Sequence, residues 1–202
     1  LMQIDKILNR IVSKYIFLTL FIQVLNLSPR LLGKSEVTYH QYVNPFIGTD
    51  GHGHTYPGAS RPFGMVQLSP DSRTAGWDAA SGYHFKDESI LGFSHTHLSG
   101  TGVQDMLDVL ITPTTTAIFR RFSERLENSE AFRSEKGPEE ASPGYYQIFL
   151  KNSGINAELT ATTRVGIHRY RFPEGEKANV IFDLGHPQRV DVIRSFVRSE
   201  NS

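Results

Sequence analysis

Between Asn44 and Gly102 the chain is so dense in glycine, proline, histidine, serine and threonine that a long helix is excluded there. Glycine and proline punctuate it at short intervals, which marks tight turns joining short extended pieces. Candidate strands lie at residues 37–42, 64–68 and 106–111. Beyond Pro143 the rhythm becomes regular. Residues 145–150 read as a strand, and Lys151, Asn152, Ser153 and Gly154 as a turn. Ile155, Ala157, Leu159 and Ala161 alternate with polar residues, the period of a half-buried strand. Residues 165–172 form another strand candidate, with Gly166 as a bulge site. A turn at residues 173–176 leads into a strand at 179–184, and 190–197 reads as one more. Short strands with turns at this spacing predict a mainly β fold, an antiparallel β-sandwich. The polar run at residues 119–140 reads as a solvated surface helix or loop.

Charge narrows the function. Lysine plus arginine and aspartate plus glutamate total 21 each, so the formal net charge is zero. The basic stripe of a nucleic-acid binder is missing. The absence of cysteine excludes disulfides, thiolate-bound zinc and a thiol nucleophile. At the N-terminus Lys6, Arg10 and Lys14 precede an apolar stretch at 15–27. That stretch is shorter than the roughly 20 residues a spanning helix needs, and it suits a secretory signal over residues 1–28 with no obvious cleavage site. The expectation is an exported protein of the bacterial periplasm or exterior, without a membrane span. A sandwich over 37–202 lacks a closing element after its last strand, so it is expected to be incomplete at its C-terminal end.

Side chains suited to ligand chemistry concentrate in four places. Residues 48–58 present His52 and His54 from a backbone rich in glycine, which can approach a ligand closely. Gly76, Trp77 and Asp78 are followed by Ser81, Gly82, Tyr83 and His84, and residues 93–102 hold His95, His97, Gly100 and Thr101. Asp105 and Asp108 close the set. Short polar side chains suit sugar hydroxyls, which both donate and accept, and Trp77 or Tyr83 offers a flat face for sugar C–H groups. The competing readings are a metal site on the two His-x-His pairs and histidines that only brace their loops. No Gly-x-Ser-x-Gly elbow, phosphate loop or dinucleotide fingerprint is present.

Residues 42–49 (YVNPFIGT), 51–59 (GHGHTYPGA) and 62–71 (PFGMVQLSPD) resemble the opening of glycoside hydrolase family 92. The similarity continues through 76–78 (GWD), 81–84 (SGYH), 92–102 (GFSHTHLSGTG), 141–146 (ASPGYY) and 157–162 (AELTAT). The resemblance implies an exo-acting, inverting α-mannosidase that depends on calcium and acts on mannose-containing glycans. It implies an N-terminal β-sandwich followed by an (α/α)6 barrel, which this chain does not contain, with the active site between them. On that basis no catalytic residue is expected here, because the acid and base carboxylates would come from the barrel. Substrate contacts are expected from His52, Gly53, His54, Trp77, Asp78, Ser81, His95, His97, Gly100 and Thr101. Calcium takes oxygen ligands, so the resemblance weakens the metal reading of the histidines and leaves the metal ligands unassigned. Two departures stand out. Ala79 and Ala80 occupy places where the family often has Trp-Cys, and Gln104 and Leu107 replace glycines of a Gly-Asp-x-Gly-Asp run. The alternatives to the mannosidase reading are a stand-alone carbohydrate-binding sandwich and a zinc-dependent hydrolase built on the His-x-His pairs.

Overall fold

A computed structural model describes residues 38–103, 105–116 and 132–186. The predicted signal, the strand at 190–197, Gln104 and most of the charged run lie outside the described residues. Among the described residues ten strands form two antiparallel five-stranded sheets. The first sheet takes the order β1 (Ala59–Ser60), β2 (Gln67–Asp71), β4 (Gly92–Ser94), β5 (Leu110–Thr114), β10 (Asn179–Asp183). The second takes β3 (Ser89–Ile90), β6 (Ser134–Ser142), β7 (Tyr145–Leu150), β8 (Ile155–Ala161), β9 (Gly166–Arg171).

The period-two pattern explains the core. Ile155, Ala157, Leu159 and Ala161 are buried on β8, and Tyr146, Ile148 and Leu150 on β7. The register sets Tyr146 opposite Leu159, Ile148 opposite Ala157 and Leu150 opposite Ile155, so one continuous apolar face results. It packs with Ala59, Leu68 and Phe93 from the first sheet. Each large buried aliphatic side chain contributes about 1.5–3 kcal/mol. Phe93 on β4 also stacks on Tyr170 of β9, ring centres 6.0 Å apart, tying the two sheets together.

Several sequence expectations are corrected. Tyr39–Tyr42 is a short 3-10 turn, not a strand. The strand expected at 64–68 begins at Gln67 and runs on to Asp71. The one expected from Met106 begins at Leu110, because Met106, Leu107 and Val109 have φ of 67°, 64° and 56° and cannot join a ladder. The charged residues 134–140 belong to β6. Gly166 is not a bulge, since the β8–β9 register runs unbroken to Ala161↔Gly166. A Cβ there would sit 3.2–3.3 Å from His95, Leu68 and Val66, so glycine allows the sheets to close.

Three loops, one before β1, one from β2 to β3 and one from β4 to β5, are held by backbone and side-chain bonds. Phe85 N–H donates to Thr49 C=O, Gly100 N–H to His54 C=O, and Leu107 N–H to Thr96 C=O. Ser81 Oγ donates to Thr55 C=O at 3.0 Å. The predicted functional residues sit on these loops.

Candidate functional site

The 48–58 loop is built on a backbone crossing. Thr55 N–H donates to Gly48 C=O, and a Cβ on Gly53 would lie 2.1 Å from that same carbonyl oxygen. Only glycine fits there. The crossing leaves His54 at φ 52° and aims its imidazole inward, while His52 projects into solvent.

Both histidines converge on Asp78. His52 Nδ1 lies 2.6 Å from Asp78 Oδ1 and His54 Nε2 lies 3.4 Å from the same oxygen. His54 Nδ1 donates to the Thr101 carbonyl at 2.7 Å, which brings the third loop into the cluster. Asp78 is held below the ordinary carboxylate range, chiefly by the His52 hydrogen bond. Trp77 begins a 3-10 turn (Trp77–Ala79) and is 61% exposed, its ring edge-on to His54 at 5.0 Å between centres. Gly102 lets the indole lie close, since a Cβ there would come within 2.3 Å of it. His52, Gly53, His54, Trp77, Asp78, Gly100 and Thr101 therefore form one contiguous, partly open surface.

The other three predicted residues sit elsewhere. Ser81 is fully buried and spends its hydroxyl on the Thr55 and Tyr83 carbonyls. His95 and His97 do not share a target, contrary to the paired-imidazole reading. His95 Nδ1 donates to Val109 C=O at 3.1 Å, and its Nε2 faces His168 Nε2 at 3.2 Å. Tyr170 O–H lies 2.7 Å from His168 Nδ1. The bonds run consistently from Tyr170 through His168 and His95 to Val109, with each ring neutral.

His97 is buried against Asp71. Its Nδ1 donates to Gln67 C=O at 2.7 Å and its Nε2 to Asp71 Oδ1 at 2.7 Å, while His186 Nε2 lies 2.9 Å from Asp71 Oδ2. Burial alone raises the Asp71 pKa, but the charge of His97 and the bonds from His186 and His97 outweigh it and leave it below its usual value. This brace was not foreseen, because His186 lies far along the chain in an unremarkable turn. Ala79 and Ala80 are buried, so no side chain from these positions reaches the open surface.

Among the described residues one group of three side chains could hold a metal ion, and it can be set against the calcium that the sequence resemblance implies. His52, His54 and Asp78 offer two imidazole nitrogens and one carboxylate, whereas calcium takes six to eight oxygens. The set does not fit calcium. Asp105 and Asp108 add nothing to it, since Asp108 accepts a bond from Thr96 Oγ1 and Asp105 one from Met106 N–H. No helix among the described residues is long and apolar enough to cross a membrane.

An α-mannosidase of family GH92 from Bacteroides thetaiotaomicron, solved with mannoimidazole, superposes with a TM-score of 0.66 at 42% identity, over 73% of this chain and 20% of that one. An inverting family GH92 mannosidase of the same organism gives 0.58 at 28% identity, over 75% and 20%. A protein called an uncharacterized secreted glycosidase, from Arthroderma benhamiae, is 31% identical over 151 residues, 71% of this chain and 19% of its own. The chain thus spans about a fifth of the length of these relatives. The glycosyl hydrolase family 92 N-terminal domain matches residues 42–202, and the chain belongs to that family as its N-terminal domain.

Proposed function

We propose that this chain is the N-terminal, substrate-contacting part of a secreted, calcium-dependent, inverting α-mannosidase that acts on mannose-containing glycans. The observation that carries the reading is the exposed Trp77 beside a hydrogen-bonding cluster of His52, His54 and Asp78. An aromatic face flanked by groups that donate and accept is what a sugar ring asks for. The likeness to an α-mannosidase solved with mannoimidazole supports mannose as the sugar.

Inversion needs two carboxyl groups about 6.5–9.5 Å apart with a water between one of them and the anomeric carbon. Asp78 is committed to two histidines and Asp71 is sealed in the core, so neither is free for that work. In this reading the acid and base belong to an (α/α)6 barrel of the whole enzyme, together with the calcium ligands. The loops described here hold the sugar and exclude water from one side.

The test is mannose release by the whole parent protein from α-mannosides, with and without a calcium chelator, following the anomer first formed by proton NMR. Release of β-mannose that stops on chelation is the expected result. No release from any α-mannoside by folded protein overturns the reading.

A further inference from the structure

Side chains from two loops and a backbone carbonyl of a third meet at the Asp78 cluster. A backbone carbonyl only accepts, so His54 Nδ1 donates to Thr101 C=O. That bond turns His54 Nε2 toward Asp78 Oδ1, 3.4 Å away, the same oxygen that His52 Nδ1 approaches. We propose that His52, His54 and Asp78 bind a divalent first-row transition ion of the zinc class.

The arrangement suits such an ion on three counts. Ligand atoms about 2.0–2.2 Å from a tetrahedral centre stand about 3.4 Å apart, the separation of His54 Nε2 and Asp78 Oδ1. The three ligand atoms all lie within 4.8 Å of one another. His52 stands closer to Asp78, at 2.6 Å, and would have to turn to open that edge, for which its side chain, 78% exposed, has room. Second, the Thr101 carbonyl on Nδ1 fixes the tautomer and ring orientation of His54, as an outer-sphere partner of a metal-bound histidine does. Third, two imidazoles and one carboxylate favour zinc, iron or cobalt over calcium or magnesium. Three protein ligands leave a coordination position on the solvent side for water or a hydroxyl. The second His-x-His pair has no such capacity, because His97 is spent on Gln67 and Asp71 and His95 on Val109 and His168.

The ion would sit on the same three side chains that the glycan reading places beside Trp77, and its test does not use catalysis, so the two readings fail separately. The full chain is stripped with chelator, dialysed, and titrated with zinc by calorimetry and with cobalt(II) by visible absorption. One ion per chain at micromolar concentration is expected, with cobalt d–d bands and no displacement by a hundredfold excess of calcium. His52→Ala, at a solvent-exposed position, and Asp78→Asn each lower the affinity at least tenfold, while the exposed Asp105→Asn leaves it unchanged. Absence of binding, displacement by calcium, or unchanged affinity in either His52→Ala or Asp78→Asn overturns the proposal.

Discussion

His95 and His168 meet Nε2 to Nε2 at 3.2 Å where the end of β4 faces β9 of the other sheet. Burial, and secondly the neighbouring His95, push the His168 pKa down to about 4 from 6.5. The unfolded chain therefore binds a proton that the folded chain refuses, and stability is lost as pH falls from about 6.5 to 4. The loss is about 3 kcal/mol, from a pKa lowered by about 2.5 at 1.36 kcal/mol per unit. Urea unfolding across that range checks it: His168→Gln should flatten this part of the profile.

A second, more acidic loss belongs to Asp71. Its folded pKa lies below the ordinary value, so the stability it contributes is present above about pH 4 and disappears as pH falls further. Asp71→Asn, which removes the buried charge and replaces one of the two acceptor oxygens facing His97 and His186 with an NH2 donor, should cost about 3–5 kcal/mol at neutral pH. Chemical denaturation of the two proteins at pH 7 measures it.

Much of this was legible beforehand, and the exceptions have physical causes. Ile155 to Ala161 announced β8 by its own alternation, and the glycine-rich strings marked the loops that hold Trp77 and His54. β6 was hidden because its sequence, SEKGPEEAS, has no β propensity of its own. It is a strand because Tyr145–Leu150 folds back on it, with an irregularity between Lys136 and Glu139 that accommodates Pro138. The division of labour between His52–His54 and His95–His97 was equally unreadable. Identical spacing gave different partners, since Asp78 lies 24 residues from His54, Asp71 26 from His97 and His168 73 from His95.

Two glycines on the site loops should respond differently to alanine. At Gly53 the new Cβ meets the Gly48 carbonyl at 2.1 Å, a backbone atom that cannot step aside. Gly53→Ala should cost more than about 2 kcal/mol, the range of backbone-strain effects. At Gly102 the obstacle is the outer edge of the Trp77 ring, 2.3 Å away, which is free to swing outward. Gly102→Ala should keep nearly full stability while shifting the emission of the chain's single tryptophan. Thermal melts and fluorescence spectra of both variants distinguish the two outcomes.

Trp77→Ala in the whole enzyme tests the sugar-stacking role directly. Because the ring is 61% exposed, unfolding free energy should change by no more than about 0.5 kcal/mol. The proposed stacking, at about 1.4 kcal/mol or more, corresponds to at least a tenfold fall in kcat/KM on mannosides. Equal activity in the variant would remove Trp77 from the site.

The bond from His186 to Asp71 spans 115 residues. Asp71 lies at the end of β2, next to the loop that presents Trp77 and Asp78, and it waits for a partner made near the end of the described sequence. During synthesis the early loops emerge first, yet the brace beneath them closes only after β6 to β10 have been translated. Such a long-range contact delays folding. The loops that carry His54, Trp77 and Asp78 are thus made early in this domain and are among the last parts to be fixed in place.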